Sequence, residues 1–592
     1  MPPAPLLARP LAALLAAAVL LAGCGGDECS GAETRCSDDG LTLRTCAGGR
    51  WRATACMAEQ GQLCEGGACV DPWRYGAPAW SRCDGEPLAT PESLGDKARA
   101  YDERARRLHL HPALRWVTPV TLPCRVDPCP PGGTPPCYDC TAPAVAETEA
   151  TWTDVETFHT GENDGLWSAL FLAAEAYRYG VTRDPAALEV IRVLLAGEVD
   201  RMRITGVPGL FTRQLIPPGV AGIGCPADPT QYVPSADKKD NRWVRVGDDG
   251  CVATVDPATG AWVASTHCGL DDYRGWCWLD NVSKDEYAGH MFALGALLAL
   301  VDDAAVQTVT RDLLGQVGRH LAQHRLTLVD WDGRVTEHGR FYAYAMDDWP
   351  SFNAAMALAF MRLAATATGD PELVDWYDNC LLQQGGPRDC LEQPLESPRP
   401  YVDHLSPQWT LYIGAASCQS NWNNFSMHAL SLHDLLWFEH DPAVRAPVQR
   451  HLQDDFFAPK GKARPLSAQH NSLFDFIFAA GKALGPGSDG PALAAVADGV
   501  CMLRQFPAEK HARAVTCPPE KCVLASCTDR FDGPMLDYAR PVAERCLGTF
   551  VWWGSPYDPG DCAADLRVVD PPTDYLLAYW MARYYGFVGE DE

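Results

Sequence analysis

The stretch that organises the chain runs from Thr151 to Gly180 and reads TWTDVETFHTGENDGLWSALFLAAEAYRYG. Apolar residues recur at helical spacing in its second half, which predicts a helix that other elements cover on most sides. Its first half gathers polar and aromatic side chains directly before that helix: Trp152, Asp154, Glu156, His159, Glu162, Asn163 and Asp164. Because these groups precede a rigid, buried helix, the segment is a suitable place for a ligand.

The composition is that of a globular protein with a large core. Of its 592 residues, 47% are hydrophobic and 21% are charged. The formal net charge is −27 and no basic stretch interrupts it, so nucleic acid is excluded as an expected partner. We expect a monomer that stays soluble through its acidic surface.

Residues 1–23 are interpreted as an export signal, because Arg9 precedes an apolar run from Leu11 to Leu21 that is too short to span a membrane stably. The run ends in Leu-Ala-Gly before Cys24, which resembles the lipobox of bacterial lipoproteins. The resemblance implies cleavage before Cys24, a lipid on its sulfur and a place in the bacterial cell envelope, at the outer membrane or cell surface. An ordinary cleaved signal with an incidental cysteine is the alternative.

Cysteine usage indicates an oxidising compartment. Removing Cys24 from the 25 cysteines leaves 24, an even number in an exported chain, so disulfides are expected. They form groups of six (29–69), one (Cys83), four (124–140), four (225–277), three (380–418) and six (501–562). The two odd groups, Cys83 and the trio, predict a long-range disulfide that joins the N-terminal segment to the main body.

Residues 24–72 form a small predicted module with few large apolar side chains beyond Trp51, so disulfides must replace a core. A zinc site is the rival interpretation, but no histidine occurs before His109 and the cysteine spacings do not suit paired ligands. The module is expected to act as a stalk or as a small adhesive element.

Five short turns, most with an Asp-Pro or Asp-Gly-Pro sequence, separate apolar helical runs in the remainder, residues 73–592. Asp caps the following helix, and Pro is tolerated at its first positions because its missing N–H had no partner there. The turns predict five helical hairpins: 162–204, 284–325, 351–384, 423–455 and 470–504.

Two further helical patterns, Pro91–His109 and Pro572–Gly586, precede and follow the hairpins. If they pair, twelve helices close into a ring, and the prediction is an all-α fold, an (α/α)6 toroid with long disulfide-bonded loops. An open helical solenoid is the alternative. The ring is favoured because the last helix lacks the polar outer face that an end cap needs.

The hairpins resemble those of six-hairpin glycosidase-like proteins over roughly residues 90–590. The segments that carry the resemblance are Gly161–Trp167, Thr205–Arg213, Ser283–His290, Asp330–Thr336 and Pro571–Tyr575. The resemblance implies a carbohydrate as the ligand. The cysteine-rich insertions at 214–280 and 505–570 depart from a bare toroid.

In such a ring the first helices of all hairpins begin around one mouth, whose Trp, Tyr, Asn, Asp and His side chains suit sugars. Aromatic faces cover pyranose rings, and amides and carboxylates bind hydroxyl groups. We predict substrate binding by Trp152, Asn163, Trp167, Arg213, His290, Asn424, His428, Asp574 and Tyr575. No metal ion or cofactor is expected.

Glycoside hydrolysis needs one protonated and one ionised carboxyl group. The candidates are Asp285 and Glu286, with Asp164 on the opposite wall and His159 beside it. Glu286 and His290 lie one helical turn apart, so the imidazole could tune the carboxylate. The alternatives are structural: acids in a first helical turn often act as caps, and His159 could simply bind a loop carbonyl.

Three other motifs leave two interpretations each. Arg213 could bind the carboxylate of a uronic acid or pair with a structural aspartate. The segment Asp330–Glu337 has alternating oxygens around a glycine but lacks a full calcium-loop pattern, so a bare turn is favoured. Cys137-Tyr-Asp-Cys140 lies in a Pro/Gly-rich loop, where a structural disulfide is favoured over redox catalysis.

The sequence thus predicts an exported, lipid-anchored protein that hydrolyses glycosidic bonds with paired carboxylates. Metalloprotease, serine hydrolase, Walker and dinucleotide-binding motifs do not occur in the sequence. A polysaccharide lyase or epimerase acting on a uronic-acid-containing glycan is the first alternative. A glycan-binding surface lipoprotein without catalysis is the second.

Overall fold

The computed structural model describes residues 29–37, 42–47, 49–55, 63–65, 67–70, 93–129, 131, 134, 136–233, 241–343, 349–383, 400–406, 411–482, 490–546, 552 and 554–590. The predicted signal and Cys24 lie outside these residues. Contacts divide the chain into two units, residues 1–72 and 73–592.

The first unit contains short antiparallel strands: β1 (Thr34–Cys36), β2 (Thr42–Ala47), β3 (Arg50–Ala55), β4 (Leu63–Glu65) and β5 (Ala68–Val70). Strands β1, β2 and β3 form one sheet, and β4 pairs with β5. The disulfides Cys29–Cys46 and Cys36–Cys64 connect these strands. Cross-links therefore hold together strands that are too short to enclose a core of their own.

The second unit contains all the described α-helices: α1 (Leu94–Arg104), α2 (Asp164–Thr182), α3 (Pro185–Arg203), α4 (Lys284–Leu300), α5 (Ala304–Gln323), α6 (Pro350–Thr368), α7 (Pro371–Asp375), α8 (Trp422–Phe438), α9 (Pro442–Arg450), α10 (Ser472–Lys482), α11 (Gly490–Gln505) and α12 (Thr573–Tyr584). Helices α1, α7 and α9 continue as π-helical turns at Ala105–His109, Trp376–Leu382 and His451–Phe457.

The predicted helical hairpins are confirmed, and their turns are capped as expected. Asp184, Asp303, Asp370 and Asp441 each accept a hydrogen bond from a backbone N–H in the first turn of the helix that follows. Proline occupies an initial position in three of these four helices, α3, α7 and α9. Residues 488 and 489 of the fifth predicted turn, 488–491, lie outside the described residues.

Helices α2 and α4 approach each other closely because each presents a glycine. A Cβ atom at Gly289 would lie 2.6 Å from Leu166 Cδ1 and 2.7 Å from its Cα atom. A Cβ atom at Gly165 would lie 2.2 Å from Glu286 Oε2. Helix α2 also packs against α12, and α12 against α1. The two glycines therefore bring the beginnings of α2 and α4 together.

The prediction of an all-α toroid is wrong. The chain is 45% helical and 17% strand, which makes it a mixed α/β protein. The strands of the second unit are β6 (Val120–Thr121), β7 (Cys124–Asp127), β8 (Cys137–Pro143), β9 (Thr157–Phe158), β10 (Gln214–Ile216), β11 (Trp243–Val246), β12 (Cys251–Val255), β13 (Trp262–Cys268), β14 (Cys277–Leu279), β15 (Thr327–Val329), β16 (Val335–Arg340), β17 (His511–Ala512), β18 (Leu524–Thr528), β19 (Pro534–Leu536) and β20 (Asp565–Val569).

Two sheets lie in segments that were predicted to be loops or insertions. One has the order β10-β14-β11-β12-β13, and the other has the order β17-β20-β6-β9. Strands of two to seven residues carry too little period-2 pattern to be recognised. The Cys251–Cys268 disulfide joins β12 to β13, and Cys225–Cys277 joins β14 to a loop. Strand β20 pairs with β6 across more than 440 residues of sequence, a partner that no local pattern reveals.

The disulfide prediction is confirmed. Described pairs in the second unit are Cys124–Cys140, Cys129–Cys137, Cys225–Cys277, Cys251–Cys268, Cys418–Cys527, Cys517–Cys522 and Cys546–Cys562. The two cysteines of the C-x-x-C motif thus belong to different disulfides. Cys418 of the trio pairs with Cys527, whereas Cys83, predicted to form a long-range bond, lies outside the described residues.

The many disulfides indicate an exported or extracellular protein. Among the described helices, none combines the length and apolar character needed to cross a membrane.

Candidate functional site

A cavity of about 980 Å³ opens where α2, α4, α6 and α8 begin. Residues before or within the first turns of these helices line it together with loop residues from between them. Seven of the predicted site residues lie on its wall: His159, Asn163, Asp164, Trp167, Arg213, Asp285 and Asn424. Six do not: Trp152, Glu286, His290, His428, Asp574 and Tyr575.

Asp164 places a buried carboxyl group on the cavity wall at the beginning of α2. Its side chain is only 7% exposed. Oδ1 accepts a hydrogen bond of 2.8 Å from the Gly161 N–H, and Oδ2 has no hydrogen-bond partner among the described residues. Burial raises the pKa of Asp164 to about 7, although the Gly161 hydrogen bond and the charge of Arg201 lower it in part. The group can therefore hold a proton at neutral pH.

Asp285 is the second predicted acid on the wall. It lies in the first turn of α4 and is partly buried. Two more carboxylates, Glu162 and Glu337, line the same cavity from exposed positions. The cavity thus combines one buried carboxyl group, that of Asp164, with carboxyl groups in more exposed positions.

The Arg213 guanidinium group donates hydrogen bonds to oxygens of the protein. Nε donates to the carbonyl of Asn281 at 2.8 Å, and Nη1 donates to the Glu162 carbonyl and to Asn163 Oδ1, both at 3.1 Å. Because these bonds tie the segment before α2 to the segment before α4, Arg213 fixes the geometry of the cavity wall. No carboxylate pairs with it among the described salt bridges, so the alternative of a structural aspartate partner finds no support there.

Lys284 begins α4 and lines the cavity from a nearly fully buried position. Its ammonium group donates to Asn353 Oδ1 at 3.0 Å and lies 5.4 Å from the centre of the Phe352 ring. It thereby connects the first turns of α4 and α6.

Aromatic and amide side chains form much of the remaining wall. Trp167 is partly buried, and Trp349 has 36% of its surface exposed. Asn421, Asn423 and Asn424 precede or begin α8, and Asn421 Nδ2 donates to Asn424 Oδ1 at 3.0 Å. Such a wall can cover the apolar face of a ring and bind several hydroxyl groups.

His159 lies exposed on the rim. Its Nε2 is 2.7 Å from Thr121 Oγ1, and its backbone N–H donates to the carbonyl of Pro119. Partial desolvation of the ring lowers the pKa of the imidazole.

Glu286, a predicted catalytic residue, lies behind the cavity wall and is fully buried. Its Oε2 accepts a hydrogen bond of 2.8 Å from the Leu166 N–H in the first turn of α2. Asn163 makes no side-chain cap for that helix, so Glu286 supplies the acceptor from α4. Burial raises the pKa of Glu286 well above its usual value. This residue joins the two helices.

His290 lies in the same interior and not on the cavity wall. Its Nε2 is 3.8 Å from Glu286 Oε2, which agrees with the predicted one-turn spacing, and its Nδ1 is 2.5 Å from Glu198 Oε2. The ring also stacks on Phe211, with centres 4.2 Å apart. These contacts assign it to packing between α2, α3 and α4.

The other four predicted residues have structural partners as well. His428 Nε2 lies 2.8 Å from His451 Nε2, one helical turn deeper in α8 than Asn424. Lys510 binds both carboxylate oxygens of Asp574, and the Tyr575 hydroxyl donates to the Leu94 carbonyl at 2.8 Å. Trp152 packs edge-on against His111 away from the cavity.

Several cavity residues were missed by sequence reasoning: Asn241, His338, Gln419 and Arg530. Glu337 was noted only as part of a turn. All of them lie in insertions or loops without helical periodicity, so no hairpin start marked them. The strands near them are too short to be recognised, and the Cys418–Cys527 pairing beside Gln419 is visible only in the structure.

The Asp330–Glu337 segment forms the turn between β15 and β16 and the beginning of β16. The sequence favours such a turn over a calcium loop. Asp330 accepts backbone hydrogen bonds from Asn281 and Trp331, and Asp332 pairs with Arg334 and Arg242. Backbone N–H groups therefore occupy Asp330, and two arginines neutralise Asp332.

One other group of potential metal ligands occurs among the described residues: Glu147, Glu509 and His511. Glu147 is already bound by Arg104, by the backbone N–H groups of Lys510 and His511, and by His511 Nδ1. This donor set serves the protein's own hydrogen bonds and does not fit a metal site.

Comparison with known proteins does not identify the chain. No family model matches it, and no curated protein matches it in sequence.

Proposed function

We propose that this exported protein acts on carbohydrate and hydrolyses glycosidic bonds in the cavity. The observation that carries the proposal is Asp164, a carboxyl group on the cavity wall whose Oδ2 has no hydrogen-bond partner among the described residues and whose pKa is about 7. A group of this kind can donate a proton to a leaving oxygen at neutral pH.

Asp285 is the general base in this proposal. Asp164 protonates the glycosidic oxygen as the bond to the anomeric carbon breaks. Asp285 accepts a proton from a water molecule whose oxygen forms the new bond to that carbon. The products are two hydroxyl-terminated sugars, and a proton passes back to Asp164 through solvent. The pair is Asp164 with Asp285, because both residues line the cavity whereas Glu286 lies behind its wall.

The lining supports a sugar as the occupant. Trp167 and Trp349 offer faces for pyranose rings, and the asparagines that begin α8 offer donors and acceptors for hydroxyl groups. A cavity of about 980 Å³ is large enough for an oligosaccharide segment.

A glycan panel followed by product analysis tests the proposal. The full-length protein is incubated with neutral and acidic polysaccharides, and new reducing ends are measured. Mass spectrometry then distinguishes the addition of water from an unsaturated product, which would show a lyase, and from binding without turnover. Hydrolysis is expected, and either other outcome on a bound glycan would overturn it.

Substitutions test the catalytic roles proposed for Asp164 and Asp285. Asp164→Asn is expected to lower kcat by roughly 10²- to 10⁴-fold, because a positioned general acid contributes about that factor. Asp285→Asn is expected to lower kcat by a similar factor. Asp271→Asn is the matched control, since Asp271 is 60% exposed, pairs with Arg274 and does not line the cavity. If Asp164→Asn and Asp285→Asn both retained activity, the site assignment would be wrong.

We further propose that a lipid on Cys24 anchors the protein in the bacterial cell envelope. The support is the Leu-Ala-Gly-Cys sequence at 21–24 after an apolar run. Cys24→Ala should shift the protein from the membrane fraction to the soluble fraction of cells that express it. A wild-type N-terminus that mass spectrometry finds unlipidated would contradict this.

A further inference from the structure

The loop between β18 and β19 forms part of the cavity rim. Arg530 in this loop lines the cavity. Asp529 shapes the turn, because its Oδ1 accepts hydrogen bonds from the backbone N–H groups of Phe531 and Gly533 at 2.8 and 2.7 Å. Its own N–H donates to the Gly533 carbonyl at 2.9 Å. The position of Arg530 is therefore determined by a closed hydrogen-bonded turn.

Two adjacent residues fasten this loop to the wall that leads into α8. Cys418 forms a disulfide with Cys527, and Gln419 Nε2 donates to the carbonyls of Thr528 and Asp529 at 2.7 and 2.8 Å. Gln419 itself lines the cavity. A loop held in this way presents its side chain at low entropic cost on binding.

Arg530 differs from the two other cations that line the cavity. Arg213 and Lys284 donate to oxygens of the protein. The Arg530 side chain is exposed, and it has no hydrogen bond or salt bridge with any residue that the structure describes. Its guanidinium carbon lies 4.5 Å from the centre of the Phe531 ring, and Phe531 is 74% exposed. The stacking orients the guanidinium group and leaves its N–H donors available.

We propose that Arg530 binds an anionic substituent, a carboxylate or a sulfate, on a glycan in the cavity, and that it selects acidic over neutral glycans. The inference rests on the proposed function only in taking carbohydrate as the occupant, and it does not require hydrolysis. A guanidinium group binds either anion through two parallel hydrogen bonds. Because Glu162, Asp285 and Glu337 line the same cavity, an acidic glycan needs such a cation to offset repulsion.

Calorimetric titration tests the inference without turnover. The full-length protein is titrated with oligogalacturonate, with a sulfated carrageenan oligosaccharide and with a neutral xylo-oligosaccharide of similar length. Wild type is expected to bind at least one acidic probe more tightly than the neutral one, and comparing the two acidic probes identifies the anion. Arg530→Gln should lower the affinity for that acidic probe by about tenfold and leave the affinity for the neutral probe unchanged.

Arg99→Gln is the matched control, because Arg99 is 68% exposed, pairs with Asp96 and does not line the cavity. It removes the same charge and should leave both affinities unchanged. Arg530→Lys keeps the charge but loses the fork, so it should recover only part of the preference. Equal binding of acidic and neutral probes by wild type, or an unchanged preference in Arg530→Gln, would overturn the inference. If wild type bound the acidic probe more tightly through Arg530 but cleaved no glycan, only the hydrolase proposal would be refuted.

Discussion

The beginnings of α2 and α12 make an instructive comparison, because each has a buried aspartate in its first turn. Asp164 is 7% exposed and Asp574 is 1% exposed. Lys510 binds both oxygens of Asp574 at 3.0 and 3.1 Å. Asp164 has only the Gly161 N–H on one oxygen and nothing described on the other. One carboxylate is neutralised within the protein, and the other is open to a ligand.

The difference shows what makes a first-turn acid part of a site. Both acids gain from the positive end of a helix dipole. A lysine packed against Asp574 makes it part of a structural ion pair, whereas burial raises the pKa of Asp164 to about 7 and no salt bridge offsets that burial among the described residues. Both acids lie in the first turn of an apolar helix, so the neighbour from a distant segment decides the role.

The largest effect is expected from Asp574→Asn. It would leave the buried ammonium group of Lys510 without its counter-charge, which costs about 3–5 kcal/mol of unfolding free energy. Urea denaturation of the full-length protein measures the loss. The double variant Lys510→Met/Asp574→Leu, which removes both charges, should recover most of it. A loss under about 1 kcal/mol in the single variant would show that the ion pair does not hold α12.

A smaller loss, about 1–3 kcal/mol, is expected from Gly165→Ala at the α2 end of the comparison. The added Cβ would lie 2.2 Å from Glu286 Oε2 and 2.8 Å from His290 Nε2. Glu286 cannot move away without losing the Leu166 N–H that it caps. In a helix without such a contact, replacing glycine with alanine is stabilising. A lower unfolding free energy in Gly165→Ala would therefore indicate the close contact with α4.

Gly224→Ala is the matched control for that substitution, because a Cβ at Gly224 meets nothing within 4 Å. Its unfolding free energy should change by less than about 0.5 kcal/mol. If Gly165→Ala were as stable as wild type, the close contact between α2 and α4 would not be required.

The smallest effect concerns pH. The folded pKa of Asp164, about 7, is above its ordinary value of 3.8, so the folded protein binds this proton more tightly than the unfolded chain. The resulting stability is complete below about pH 4 and is lost as pH rises through 7. Between pH 6 and 7 the difference in unfolding free energy between Asp164→Asn and wild type should shift by about 1 kcal/mol in favour of the variant.

Comparing the two proteins isolates Asp164, because Asp102 and Asp330, with pKa values of about 7, and Glu175, at about 8, titrate in both. Asp271→Asn, an exposed change, should show no such shift. A difference between Asp164→Asn and wild type that is independent of pH would contradict the raised pKa.

Helices were predictable from the sequence and sheets were not, for a physical reason. The α2 and α4 runs carry long apolar patterns and end at Asp-capped turns, so local information suffices. Strand β20 carries no comparable pattern, and its partners β6 and β17 come from distant segments. Short strands whose pairing is set by remote partners and disulfides turned an expected all-α fold into a mixed one.

The candidate site was predictable in part for the same reason. Asn163, Asp164, Asp285 and Asn424 lie at helix starts that local patterns mark. Glu286 is adjacent to Asp285 and also carries a carboxyl group, yet its position on α4 turns it toward Leu166. Arg530 reaches the cavity only through the Cys418–Cys527 disulfide and the Gln419 hydrogen bonds. No residue near it in sequence indicates the contact.

By itself the sequence determined the helical hairpins, their capped turns, the oxidised cysteines and the polar groups that precede α2. Each depends on residues a few positions apart, whose backbone geometry is local. Only the tertiary structure decided which carboxylates meet a cation, which cap a neighbouring helix and which face the cavity. Those outcomes depend on separate segments of the chain: Lys510 binds Asp574 across 64 residues of sequence, and Glu286 binds the Leu166 N–H across 120. Asp164 is set apart because no such segment covers its second oxygen among the described residues.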